Sequence, residues 1–215
     1  MRLSSRDSSV GIRPFHPDDV TGLFAAARES IDQLCQWMVW CPAAYDLDDS
    51  YAFVWASQED WEAGRKFSFL IFDLEDGSAL GSVGLSDLDH THGRANVGYW
   101  VRQSRIGQGI ATAAVRLAAQ FAFQELHLNR LEWVIAVGNQ ASIRVAEKLG
   151  AQREGLLRSR LVINRQPCDA VLYSLLATDA ELNYDLDSTP GAMPDELSRR
   201  SVQTRPLREQ LCPLK

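Results

Sequence analysis

The chain is 215 residues long, and at about 150 residues per domain that length fits one domain with an appendage better than two. With 46% hydrophobic and 23% charged residues it lies near the globular average, which excludes wholesale disorder, collagen-like repeats and a long coiled coil. The 22 basic and 28 acidic side chains leave a net charge of −6 and a pI near 5.2, and the basic residues are dispersed, so neither nucleic acid nor an anionic membrane is an expected partner.

The N-terminal stretch from Met1 to Asp7 leads into no apolar segment, and no run of about 18 apolar residues occurs, so neither secretion nor a membrane span is expected and the expected compartment is the cytoplasm. Residues 1–9 read as a flexible N-terminus, 10–178 as the folded body, and 179–215 as a polar tail. Pro190, Pro194, Pro206 and Pro213 fall in that tail, where apolar residues are scattered. Cys35, Cys41, Cys168 and Cys212 form no C-x-x-C pair and read as reduced thiols.

The body opens with a short strand, Val10–Phe15, then Asp18-Asp19 as the cap of a helix carrying Leu23, Phe24 and Ala27. A second and a third helix are expected to follow. They hold four of the six tryptophans, Trp37, Trp40, Trp55 and Trp61, which read as core aromatics or, in a helical lid, as the wall of a substrate cleft; Trp37 and Trp40 are the candidates for that wall. Three strands come next, Phe67–Phe72, Leu80–Asp87 and Ala95–Val101, separated by the turn signals Glu75-Asp76-Gly77 and His90-Thr91-His92-Gly93, an antiparallel meander.

A helix over Gly107–Glu125 places Ile110, Ala114, Leu117, Ala118 and Phe121 on one stripe. Strand Leu131–Val137, helix Gln140–Leu149 stopped by Gly150, and strands Gln152–Leu161 and Cys168–Leu176 complete a mixed α/β order.

Chemistry concentrates where two strands run into helices. The strand Val97–Val101 leads through Arg105-Ile106-Gly107-Gln108-Gly109 into the long helix, and glycines before a helix N-terminus can form a phosphate cradle; a tight turn is the plain alternative. No Lys-Ser/Thr pair follows, so this is no P-loop, and the dinucleotide fingerprint fails because Thr112 stands at the third glycine's place and no acid follows the next strand. Asn139-Gln140-Ala141-Ser142 presents an amide and a hydroxyl from that next strand end, so the two loops are expected to face one cleft.

Arg105-x-Gly107-x-Gly109-Ile110-Ala111 after Asn96-Val97-Gly98-Tyr99-Trp100, followed by Asn139-x-x-Ser142, resembles the GNAT acyl-CoA N-acyltransferase superfamily. Together with Leu34-x-x-Trp37-Met38-x-Trp40, it is similar to the branch that acetylates ribosomal-protein N-termini. The likeness covers residues 10 to 177 and implies a GNAT-like fold, a mixed, mostly antiparallel sheet with helices on both faces.

The resemblance further implies acetyl-CoA as cosubstrate. Backbone amides of Arg105, Ile106, Gly107, Gln108, Gly109, Ile110 and Ala111 would hold its pyrophosphate, and the Val101 strand end would lie against the pantetheine and polarise the acetyl carbonyl. Asn139 would hydrogen-bond the pantetheine arm, and Ser142 would sit beside the thioester sulfur. Arg102, Arg105 and Arg116 would neutralise phosphates or, more plainly, be solvated.

Three positions depart from the family pattern. Ser104 stands where many members carry Gln or Arg, Ala146 stands at the tyrosine general acid, and Leu161 stands at the glutamate that takes up the amine proton in the ribosomal branch. Asp87, alternating with Val83 and Leu85, is the replacement base candidate; a strand-end carboxylate turned to water is the alternative. His90-x-His92 beside Asp89 reads as a turn rather than a metal site, and no metal is expected.

The expectation is an N-acetyltransferase acting by direct transfer on a primary amine, foremost a protein N-terminus, with an antibiotic or polyamine as the alternative acceptor. A non-catalytic acyl-CoA sensor is the alternative of another class. A homodimer is left open.

Overall fold

The computed structural model describes residues 1–4, 9–38 and 44–179. Trp40, Cys41 and residues 180–215 of the expected tail lie outside them. An eight-stranded sheet has the order β1-β2-β3-β4-β5-β6-β8-β7, built from β1 (Leu3–Ser4), β2 (Val10–Pro14), β3 (Phe67–Asp73), β4 (Ala79–Asp89), β5 (Arg94–Val101), β6 (Arg130–Ala136), β7 (Gln152–Ile163) and β8 (Gln166–Leu176). Every neighbouring pair is antiparallel except β5 with β6. Part of the N-terminal stretch expected to be flexible is paired, since Leu3 and Ser4 lie against Ile12 and Gly11.

Helices α1 (Val20–Glu29), α2 (Ile31–Leu34) and α3 (Leu47–Glu62) cover one face, where Leu23, Ala27, Leu34 and Val54 bury against Leu70, Phe72 and Trp100. Helix α4 (Ile110–Gln124) covers the other, and the whole expected stripe, Ile110, Ala114, Leu117, Ala118 and Phe121, is buried against Phe69, Val83 and Val97. The two clusters follow from β-strand alternation: Phe69 and Ile71 point to α4 while Leu70 and Phe72 point to α1 and α3. Helix α5 (Gln140–Lys148) packs beside α4. None of the helices among the described residues is long and apolar enough to cross a membrane.

The tryptophans divide. Trp61 joins the core edge-on to Phe67 and Phe69, with ring centroids 4.9 and 5.0 Å away, whereas Trp55 is 43% exposed and stacks on Tyr51 at 5.0 Å.

Two helix starts differ from expectation. Asp18-Asp19 does not cap α1: His16 caps a 3-10 turn at Pro17–Asp19, and the Asp19 carboxylate accepts the His16 N–H at 2.7 Å and both guanidinium arms of Arg13 at 2.6 Å. Helix α4 begins at Ile110 rather than Gly107, because Gly107 and Gly109 sit at φ +80° and +79°, outside the right-handed helical region.

Candidate active site

The site exists because two neighbouring strands part. β5 and β6 pair only over Arg94–Asn96 with Arg130–Glu132, while β5 stays paired with β4 out to Val101 and β6 with β8 out to Ala136. Beyond the third pair a cleft of about 220 Å³ opens, bordered by Tyr99 and Val101 from β5, the loop before α4, and the start of α5. The two strand-to-helix turns expected to face one cleft do so.

On the first turn, Arg105, Ile106, Gly107, Gly109, Ile110 and Ala111 line the cleft; Gln108 does not, and its side chain accepts from Arg105 Nε at 3.1 Å. The two left-handed glycines bend the chain so that α4 begins at the cleft. Its first N–H groups have no acceptor within the helix, which with the helix dipole makes an anion site.

Two carboxylates hold this loop. Asp73, nearly buried, pairs with Arg105 Nη2 at 2.7 Å. Glu29, at the end of α1, accepts the Ser104 N–H at 2.8 Å and pairs with Arg102 at 2.6 Å. Those hydrogen bonds, the Ser104 bonds foremost, hold the Glu29 carboxyl at about 2, far below its ordinary value. Of the three arginines expected to neutralise phosphate, only Arg105 lines the cleft, and its charge already has a partner. Sequence reasoning missed Arg144 and Lys148, which line the cleft from α5 and make no ion pair among the described residues; their i, i+4 spacing after Asn139 was the available signal.

On the second turn, Asn139 is the N-cap of α5: its Oδ1 accepts the Ser142 N–H at 3.1 Å, which leaves its amide N–H₂ as a donor. Ser142 is therefore not the cap. It is half-buried on the cleft wall beside Tyr99. The Tyr99 hydroxyl donates to the Ser142 carbonyl at 3.2 Å, and burial pushes the phenol up to about 12, so it stays protonated. Tyr99 was read from sequence only as part of a strand.

Trp37, expected on a substrate-cleft wall, lines this cleft, and a Cβ on Gly138 would come within 3.2 Å of its ring, a tight approach that favours a small residue before Asn139. Trp40 lies outside the described residues. Asp87 is not brought to the site. The β4–β5 register shifts between Ser86 and Asp89, so the alternation that aligned Asp87 with Val83 and Leu85 ends at Leu85; Asp87 is exposed at φ +52° and lines no wall of the cleft. Leu161 lies half-buried in β7 beside Cys168, also away from the cleft walls. Asp89 accepts the His92 N–H at 3.0 Å and pairs with Arg94, the bonding of a turn, and the described residues hold no group of three metal-ligating side chains.

A second cavity of about 150 Å³ shares Met38, Tyr99 and Trp100 with the cleft. Its floor is Ser68, Ser82, Gly84, Ser86 and Gly98, with Lys66 and Phe53 at its side. Ser68, Gly84 and Gly98 are direct partners across β3, β4 and β5, so the floor is a row of small residues.

Residues 9–152 match the family described as Acetyltransferase (GNAT) domain. The chain is 43% identical over 179 residues to the Bacillus subtilis protein named "Putative ribosomal N-acetyltransferase YdaF", covering 80% of this chain and 93% of that one. It is 33% identical over 96 residues to the spermidine N(1)-acetyltransferase of Escherichia coli K12, covering 45% of this chain and 52% of that protein. Mycobacterium smegmatis RimJ, solved with CoA-disulfide, superposes with a TM-score of 0.72 at 26% identity, over 80% of this chain and 84% of RimJ. A domain match over most of the chain and a relative 43% identical over 80% of it agree with that geometry: the chain belongs to the GNAT acetyltransferase family and is an N-acetyltransferase.

Proposed function

We propose that the protein transfers the acetyl group of acetyl-CoA directly to a primary amine, a protein N-terminal α-amine first of all. The observation that carries this reading is the cleft between the parted strands, with a helix N-terminus at one end and a second cavity meeting it at Tyr99. The residues fit the cofactor: N–H groups at the start of α4 suit a pyrophosphate, and the left-handed Gly107 and Gly109 leave backbone room that a Cβ would fill. Acetyl-CoA supplies an activated thioester.

The chain's own groups supply position and protons. The Asn139 amide donates to the pantetheine, the Val101 strand end orients the thioester, and the Ser142 hydroxyl gives a proton to the departing sulfur. The second cavity admits the acceptor. The printed name of YdaF, a putative ribosomal N-acetyltransferase, favours an amine of a protein as the acceptor. The partial match to a spermidine acetyltransferase favours the alternative of a polyamine.

The test is a thermal shift followed by turnover. Acetyl-CoA at about 100 times Kd should stabilise the fold by about 2.7 kcal/mol, and NAD should not. Free thiol should then appear with an α-amine peptide present. Absence of a shift at millimolar acetyl-CoA would remove the basis of the reading.

A further inference from the structure

The walls of the second cavity hold two ionisable groups among the described residues, Lys66 and Tyr99, and those of the cleft hold Arg105, Arg144, Lys148 and again Tyr99. Neither wall carries a carboxylate. Among the described residues the elements around the second cavity contribute as follows: Met38 follows α2, α3 contributes Phe53, Lys66 precedes β3 and Ser68 lies in it, β4 gives two serines and a glycine, and β5 gives Gly98, Tyr99 and Trp100. The Lys66 ammonium lies 5.8 Å from the Phe53 ring centroid. Ser68 and Ser82 are 2% and 6% exposed, yet their hydroxyls make no hydrogen bond among the described residues. Ser68, Ser82 and Ser86 all line the cavity, so this floor is polar toward whatever enters.

We propose that Lys66 is the specificity-determining residue of the acceptor chamber, selecting a neutral α-amine on a chain with no further positive charge, preferably an acidic one, and rejecting polyamines. The proposal rests on the acetyl-transfer reading above. A nucleophilic amine must first lose its ammonium proton, and among the described residues no carboxylate lines either cavity to take it, so the site works on amines that shed it to water. An α-amine ionises near 7.7–8.0 and an alkyl amine near 10.4, which makes the neutral form of the first about 300 times more abundant at pH 7.

Lys66 acts in the same direction. The second and third ammonium groups of a polyamine would approach a fixed positive charge with no carboxylate to offset it, whereas an acidic residue near a peptide's N-terminus would be attracted. As the C–N bond forms, the nitrogen loses its extra proton to water held by the serine floor. As the C–S bond breaks, the sulfur gains one proton, so the balance is one amide and one thiol.

The experiment measures thiol release with acetyl-CoA and three acceptors: a Ser-led peptide with Asp or Glu at positions two to four, the same peptide with Lys there, and spermidine. The wild type should prefer the acidic to the basic peptide by at least tenfold in kcat/KM and use spermidine least. With the acidic peptide, kcat/KM should rise tenfold per pH unit and level off near pH 8. Lys66→Glu should reduce the acidic-over-basic preference at least tenfold and raise spermidine turnover, with KM for acetyl-CoA within twofold. Gly98→Leu provides a second variant: a Cβ there meets nothing within 4 Å, so the longer side chain should fill the chamber and raise acceptor KM at least tenfold. Turnover with a preference that Lys66→Glu leaves unchanged, or spermidine as the best wild-type acceptor, overturns the proposal alone. Absence of thiol release with every acceptor overturns the transfer reading along with it.

Discussion

Asn139 and Ser142 stand three residues apart, and alanine at each should produce opposite signatures. Asn139 Oδ1 accepts the Ser142 N–H at 3.1 Å and so caps the nine-residue α5. Loss of such a cap costs about 1 kcal/mol, which for a domain of this size lowers Tm by about 2–4 °C. The same change removes the amide donor from the cleft, and a hydrogen bond of about 1 kcal/mol corresponds to a KM for acetyl-CoA raised about fivefold.

Ser142 sits at the third helical position and is not the cap, so Ser142→Ala replaces a weaker helix former by a better one and should leave Tm unchanged or raised by about 1–2 °C. Its kcat should fall about a hundredfold, about 2.7 kcal/mol of barrier, if the hydroxyl protonates the leaving sulfur. Differential scanning fluorimetry and thiol release on both variants decide the matter. A Ser142→Ala enzyme that melts 2–4 °C lower yet turns over at the wild-type rate would refute the assignment. One that is stable and fully active would transfer the proton-donor role to water or to the Tyr99 hydroxyl, which Tyr99→Phe would then expose.

Gly107→Val forces a β-branched residue to φ +80°, at a cost of at least about 1–2 kcal/mol, and should abolish the acetyl-CoA thermal shift, whereas Gly107→Asn, which tolerates that conformation, should retain part of it. Glu29 is held at about 2 against an ordinary 4.5, so its contribution to stability is complete above about pH 4.5 and lost as pH falls toward 2; the Tm gap between wild type and Glu29→Gln should be full at pH 6 and closed near pH 2. Asp87→Asn should leave kcat/KM within twofold across pH, because the carboxylate is exposed beyond the bulge, and a hundredfold loss would return the base to it. Trp61→Ala should destabilise by about 3 kcal/mol, read by urea unfolding, since its ring lies within 5.6 Å of Phe67, Phe69 and Phe121.

The meander, the α4 stripe and the glycine loop were legible because each is encoded locally: alternating apolar residues around Phe69 and Val83, helical spacing from Ile110 to Phe121, and two glycines where only a left-handed turn leads from strand to helix. Asp87 was misread because alternation arguments assume an unbroken register, and nothing in Val83-Gly84-Leu85-Ser86-Asp87 announces the shift that begins after Ser86. Tyr99 and Lys66 escaped notice for another reason. Their importance comes from what is missing around them, small residues on three strands and an absence of acids, and those neighbours are distant in sequence. The parting of β5 and β6 is equally long-range, since the whole of α4 separates the two strands in the chain.

That parting also bears on how the molecule holds together. Strands β1 to β5 and strands β6 to β8 form two sections of one sheet, hydrogen-bonded to each other through three residue pairs. An elongated ligand lying in the gap, bonded to Val101 on one bank and Asn139 on the other, would act as a splint across a hinge line. Its effect on amide hydrogen exchange should therefore extend beyond the residues it touches, slowing exchange along β6 and β8 as a unit, and unfolding should change from two loosely linked steps without ligand to one step with it.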